Sequence, residues 1–448
     1  MTQRKKDSVI LGLALFAMFF GAGNLIFPTS VGLTAGSNWL ASLSGFSITG
    51  IILPLLGVMA VMMSGGTMSS FASKAGKGFG LVYGTAVISA LGLVAVSRTA
   101  ATTYEMGVSP MLPWVSPVVS SVLFFAITWL LAINPSGIID RIGKILTPVL
   151  LAMLAVIIVK GVFFPMGQPG VTGLVQPFQF GFFGGYQTMD AMGSSILGGI
   201  VIASLLEKGY KEKRDQLFMT ARSVIIAGLG LAIVYGGLLY LGATGTSIFA
   251  TSLPKTTLTV SIVQQLLGET GKLILGLCVS FACLTTSVGL TATVGEYFSS
   301  LTKDKVPYKV VVTITVVLCA FIANFGVDMI VALASPILVT MYPMSIVLIL
   351  MNLADRFIPD QAMYTGAVFG ALSVSLFDGL QAAGIEIAAV QNLIAQLPFA
   401  ESGFGWVVPT LIGLAVGPLV SKLLGSSKSN RRTPRGKGGP KKPAYSRS

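Results

Sequence analysis

Histidine is missing from this chain altogether, and charge is scarce: charged residues occupy 10% of the 448 positions, with only 16 acidic side chains. The first absence removes the commonest metal ligand and the side chain that most readily shuttles protons near neutral pH. The second removes the solvated surface that soluble domains carry. Cysteine is nearly absent as well. Cys278, Cys283 and Cys319 lie in apolar stretches without metal-ligand spacing, so they read as small packing residues with no redox role. The sequence offers no metal-ligand cluster, no nucleotide-binding glycine loop and no histidine-based triad. No catalytic residue is assigned, and the chain does not read as an enzyme.

What the chain has in abundance is hydrocarbon. Hydrophobic residues make up 53% of it, and apolar runs of roughly 18 or more residues, enough to cross about 30 Å of bilayer core, recur along its length. They fall near 8–35, 41–63, 80–104, 116–133, 142–164, 178–206, 218–242, 271–298, 307–325, 328–352, 362–380 and 404–424. This predicts an all-α polytopic membrane protein of twelve transmembrane helices, with no soluble domain between spans. The first run is too long for a cleavable signal peptide and is read as span one.

The net charge of +13 sorts by side. With an even number of spans, one set of loops collects Arg4, Lys5, Lys6, Lys74, Lys77, Arg141, Lys144, the Lys208–Arg222 group, Lys303, Lys305, Lys309, Arg356 and the basic residues from Lys422 onward. The opposite side holds only Lys160, Lys255 and Lys272, and Arg98 lies within span three. The positive-inside rule therefore predicts that both termini are cytoplasmic. Residues 425–448, rich in Ser, Gly, Pro and basic side chains, read as a disordered tail drawn weakly to anionic membrane lipid rather than as a nucleic-acid-binding segment.

Two spans are interrupted. Phe19 to Pro28 reads FFGAGNLIFP, which sets two glycines, an asparagine and a proline inside the first span. Residues 178–206 are interrupted by Gly184, Gly185, Asp190, Gly193, Ser194 and Ser195. Non-helical backbone at membrane depth persists only where it lines a cavity or holds a ligand. Two broken spans in comparable positions point to the central site of a transporter. Similar segments recur in order: Ala100–Glu105 with Thr291–Glu296, 132–134 with 322–324, and 147–150 with 335–338, at offsets of 191, 190 and 188 residues. An offset of five spans inverts the second copy, which gives inverted repeats over 8–164 and 178–352, preceded by a terminus at 1–7 and followed by two further helices at 362–424. Glu105 and Glu296, at equivalent span ends, read as solvated or capping residues.

The FFGAGNLIFP run, the GYQTMDAMGSS run at 185–195 and the five-plus-five-plus-two layout resemble the bacterial branched-chain amino acid:cation symporters, within the group sharing the leucine-transporter fold. The likeness covers nearly the whole chain, although the basic tail matches nothing in the family pattern. It implies sodium-coupled carriage of leucine, isoleucine and valine across the bacterial plasma (inner) membrane, with no cofactor beyond the coupling ion and no obligate protein partner. Proton-coupled carriage of another neutral amino acid, or a channel, are the alternatives.

The broken helices suit a zwitterion. Free N–H groups around Gly23, Asn24 and Leu25 present the positive end of a helix dipole to a carboxylate. Carbonyls at Gly21, Ala22 and a break over Gly184, Gly185 and Tyr186 can accept from an ammonium, with Phe183, Tyr186 and Met189 against the apolar part. The competing reading of Gly21 and Gly23 is close helix packing. Asp190, a carboxylate near mid-membrane, can meet the ammonium or the cation, pair with Arg98, or take up a proton. The resemblance further implies a sodium site from the Ala282 carbonyl and the Thr285 and Thr286 hydroxyls with the carbonyls of Ala17 and Phe20, against which stands the habit of membrane threonines to bond to their own helix.

Overall fold

The computed structural model describes residues 3–133 and 138–423, and every regular element among them is helical. Hydrocarbon supplies no partner for an unpaired N–H or C=O, so apolar runs of this length close their hydrogen bonds within themselves. The first run is two helices, α1 (Gln3–Phe19) and α2 (Ala22–Ala35), parted at Phe20 and Gly21. α3 (Trp39–Ser47) and α4 (Leu53–Ser64) join through a π-helical stretch at Ile48–Ile52. A short α5 (Met68–Ala72) leads to α6 (Lys77–Ala90) and α7 (Val96–Thr102), which π-helical stretches at Leu91–Ala95 and Thr103–Val108 extend into one rod. α8 (Pro117–Ile133) and α9 (Ile138–Phe163) follow.

The second half opens with another divided run, α10 (Pro177–Tyr186) and α11 (Asp190–Glu207), and continues through α12 (Lys213–Thr244), α13 (Lys255–Leu301), α14 (Tyr308–Ala323) and α15 (Val327–Leu353). α16 (Gln361–Ala382), α17 (Ala388–Ile394) and α18 (Val407–Leu423) close the described chain. Among the described residues, seven helical stretches are long and apolar enough to cross a membrane, beside four shorter apolar helices, which makes this a multi-pass membrane protein. α13 begins well before the expected start of its span. It is two helices joined at Gly268, whose φ of 69° breaks the ladder, so the connection between the runs at 218–242 and 271–298 is partly helical. The basic tail at 425–448, Asn134 and the side chains of Arg141 and Lys144 lie outside the described residues.

Packing pairs the two divided runs with different partners. α1 and α2 lie along α12, while α10 lies along α3 and α11 along α4. Small residues permit the approach: a Cβ at Gly32 or Gly242 would run into the facing backbone between α2 and α12, and one at Gly45 or Gly181 would do the same between α3 and α10. Each divided helix is thus braced along its length by one neighbour and free to end in mid-bundle. The buried apolar residues form two large clusters. Phe20, Leu25 and Tyr235 belong to one and Tyr186, Met189 and Tyr342 to the other, so the two helix breaks stand where the clusters meet.

Candidate functional site

The first break is two residues long because one side chain replaces the missing turn. Gly21 adopts an extended conformation, its N–H donates to the Phe19 carbonyl at 3.0 Å and to Asn24 Oδ1 at 3.2 Å, and the Asn24 N–H returns to the Gly21 carbonyl at 3.1 Å. Asn24 therefore caps the helix it belongs to, as capping boxes do. The same exchange strips two carbonyls of their helical donors. Ala17 and Phe20 face the N–H groups of Gly21 and Asn24 in a continuous helix, and both of those are engaged elsewhere. At the other side of the break, the N–H groups of Ala22 and Gly23 open α2 without an intrahelical acceptor. The Ala22 side chain lies outside the described residues.

The second break comes later than the glycines suggest. Gly184, Gly185 and Tyr186 are the last turn of α10, and the chain leaves the helix only at Gln187, Thr188 and Met189. The two glycines serve packing instead: a Cβ at Gly184 would press on Val31, and one at Gly185 on Thr49 and the Gly50 backbone. Met189 carries the turn in the left-handed region at φ 64°, rare for a residue with a side chain, and is held there by near-complete burial. Asp190 then starts α11.

The breaks meet through Asn24. Its amide nitrogen donates to Asp190 Oδ2 at 2.5 Å and to the Tyr235 hydroxyl on α12, all three side chains being buried. Arg98 reaches the same place from α7. Its Nη1 donates to the Gln187 carbonyl at 2.7 Å, and its guanidinium stands 5.1 Å from the centre of the Phe27 ring. Among the described residues it forms no ion pair with Asp190, one of the arrangements the sequence left open. Tyr186 and Tyr342 stack with ring centres 3.9 Å apart, and the Tyr186 hydroxyl and Gln187 Oε1 are buried without a hydrogen-bond partner. Arg98, Gln187, Thr188, Tyr235 and Tyr342 join this cluster without having been assigned to the site. Only Arg98 carried a signal, as a lone cation inside an apolar run.

The residues put forward for sodium are spread over α1, the first break and α13, and are half-buried except for Phe20, which is buried against Phe16. The Thr285 hydroxyl donates to the Ala282 carbonyl at 2.9 Å, the bond within its own helix that membrane threonines commonly make. Glu105 is a cap: Oε1 accepts the Val327 N–H at 2.8 Å at the start of α15, and Oε2 accepts the Thr256 hydroxyl at 2.5 Å. Glu296, its counterpart, is exposed.

Two helix ends, a buried carboxylate and a buried guanidinium thus come together at the breaks. Solved structures carry the same architecture. The chain superposes on MhsT in complex with L-phenylalanine with a TM-score of 0.56 at 18% identity, over 92% of this chain and 98% of that one. It superposes on Mhp1, a nucleobase-cation-symport-1 family transporter, in a closed conformation with a TM-score of 0.59 at 16% identity, over 93% of each. Sequence relatives are nearer. The branched-chain amino acid permease BraB of Bacillus subtilis is 37% identical over 94% of this chain and 97% of its own length. The branched-chain amino acid transport system 2 carrier protein of Pseudomonas aeruginosa is 36% identical over 94% and 98%, and the permease BrnQ of Escherichia coli K12 30% identical over 91% and 94%. A family described as branched-chain amino acid transport protein matches residues 4–424. These permeases are transporters and not enzymes, and the chain belongs to the branched-chain amino acid transport protein family.

Proposed function

We propose that this chain imports leucine, isoleucine and valine by sodium-coupled symport, through alternating access at the site between the two helix breaks. The observation that carries the reading is the Asn24 bridge, which ties the start of α2 to the start of α11 through Asp190. Two half-helices that end on one buried carboxylate and one free turn of N–H groups present both signs of charge to a small ligand. An amino acid matches both, its ammonium toward Asp190 and its carboxylate toward the opening turn of α2. The names of the relatives supply the side-chain class. In this reading twelve helices form two inverted repeats of five and two additions, a layout that the reciprocal bracing of α1–α2 on α12 and of α10–α11 on α3–α4 supports. Both termini face the cytoplasm of a bacterial inner membrane.

For the coupling ion, the Ala17 and Phe20 carbonyls left without helical donors favour a hard cation, since such ions take oxygen ligands. A second reading, proton coupling through Asp190, is favoured by the burial of that carboxylate between the two breaks. Uptake of labelled leucine into proteoliposomes under a sodium gradient, a matched proton gradient or none separates the two. Sodium-driven accumulation blocked by isoleucine and valine but not by lysine or glutamate is the expected result. Accumulation driven by protons alone moves the coupling role to Asp190. Discrimination among the three side chains will be modest, because one methylene in an apolar pocket is worth about 1–3 kcal/mol.

A further inference from the structure

Arg98 is the one buried cation in the central cluster, 5% exposed. A guanidinium has five N–H donors and no acceptor, and among the described residues this one makes a single hydrogen bond, to the Gln187 carbonyl. Its position is more telling than its bonds. A Cβ built on Gly23 would lie 2.9 Å from Nη2 and 3.2 Å from Cζ, so the guanidinium rests directly on the opening turn of α2. That turn is the positive end of a helix dipole with N–H groups lacking an intrahelical acceptor. A full positive charge against a positive helix end is unfavourable until an anion joins them. The one carboxylate of the cluster does not serve: Asp190 is held by Asn24 and makes no ion pair with Arg98 among the described residues. Two opposite charges are kept close and unjoined, and a buried charge without a partner is costly.

We propose that Arg98 binds the α-carboxylate of the transported amino acid, together with the opening turn of α2, while Asp190 takes the ammonium. This deepens the reading of the central site and rests on it. The zwitterion is then the missing link of a three-part charge chain, Arg98 to carboxylate and ammonium to Asp190. Guanidinium and carboxylate match as two parallel N–H···O bonds, which an ammonium in the same place cannot reproduce. The Gln187 carbonyl, held by the other side of the guanidinium, brings the second break into register with the same carboxylate.

The test is a cycle of ligand against protein. Binding of leucine and of leucinamide, which lacks the carboxylate, is measured on purified full-length wild type, Arg98→Gln and Arg98→Lys. Wild type should prefer leucine by roughly 100-fold or more, and Arg98→Gln should weaken leucine by about 30-fold or more while changing leucinamide by less than about threefold. Arg98→Lys should recover part of the preference. Equal weakening of both ligands in Arg98→Gln overturns the proposal and makes Arg98 a positioning residue for the Gln187 break. Should the variants fail to fold, wild type decides: infrared difference spectra with 15N-arginine protein and leucine labelled with 13C at the carboxylate must show guanidinium and carboxylate bands shifting together on binding. Guanidinium bands unmoved by leucine overturn it. Wild type that binds no branched-chain amino acid at all would instead sink the assignment of the site.

Discussion

The two helix breaks do one job by different means. The first, at Phe20 and Gly21, is held by a side chain of its own segment: Asn24 caps α2, returns to Gly21 and reaches out to Asp190 and Tyr235. The second, at Gln187–Met189, has a local cap as well, the Thr188 hydroxyl donating to the Gly185 carbonyl at 2.9 Å and accepting the Asp190 N–H at 3.3 Å, but it adds remote help. Arg98, from another helix, holds its carbonyl, and burial holds Met189 in a left-handed turn. The turn that Asn24 closes on Gly21 keeps its form as neighbours move, whereas the part of the second break that Arg98 holds changes when Arg98 does. The first is thus suited to be the fixed seat of a ligand and the second to be the part that responds.

Removing Asn24 should therefore do the greatest damage. Asn24→Ala takes a hydrogen bond from a buried carboxylate, worth about 1.5–3 kcal/mol, and releases the Gly21 N–H and the Tyr235 hydroxyl at once. A loss of leucine affinity of about 30-fold or more is expected, with a lower melting temperature. Gln187→Ala is the counterpart in the second break. Arg98 holds the backbone carbonyl there and the side chain's own Oε1 is buried without a partner, so stability should change by less than about 1 kcal/mol. If the two variants behaved alike, the distinction between the breaks would collapse.

A smaller pair separates packing from ligand contact. A Cβ at Gly185 would collide with the Thr49 hydroxyl, which donates to the Phe182 carbonyl at 2.7 Å, and Gly185→Ala should cost about 1–3 kcal/mol by overpacking. At Gly21 the nearest atom to an added Cβ is Asn24 Oδ1 at 3.6 Å, and the backbone is extended, so Gly21→Ala should fold normally. Melting temperature and leucine KM measured together read the outcome. A raised KM with an unchanged melting temperature in Gly21→Ala places ligand against that backbone, and no change in either removes Gly21 from the site.

The same contrast governs what the residues announced. The first break was legible because its device is written in adjacent letters: Gly21, Gly23, Asn24 and Pro28 within an apolar run have few other uses. The second was misplaced by three residues, since Gly184 and Gly185 look like breakers yet serve contacts with Val31 and Thr49. The residue that turns the chain, Met189, has no breaking propensity, and its conformation follows from tertiary burial. Asp190 stood out because a carboxylate amid apolar residues must be explained. Tyr235, by contrast, sits in an ordinary helix and enters only because α12 packs along α1 and α2. The freed Ala17 and Phe20 carbonyls are backbone groups, and no side-chain letter encodes them.

The smallest effect lies at the far ends of the same two divided helices, which meet a second time. Asp7, at the start of α1 and outside its apolar stretch, accepts from the Tyr210 hydroxyl at 2.8 Å and from Lys208 Nζ at 3.1 Å, and Arg4 pairs with Asp215 at 2.9 Å. Tyr210 and Lys208 belong to the connection between α11 and α12, so α1 is strapped to the end of the helix that its break also touches. The Tyr210 hydrogen bond, and after it Lys208, holds the Asp7 carboxyl below its ordinary range. A depressed carboxyl contributes stability above its unfolded value and loses it as pH falls through the folded one. The strap should hold at neutral pH and loosen below about pH 4, the ordinary carboxylate value. Hydrogen exchange of residues 3–10 should accelerate over that window beyond its intrinsic pH dependence, and Asp7→Asn should abolish the excess. An acceleration that survives in Asp7→Asn would show that Asp7 does not make this strap, leaving the helix breaks to join the two divided runs.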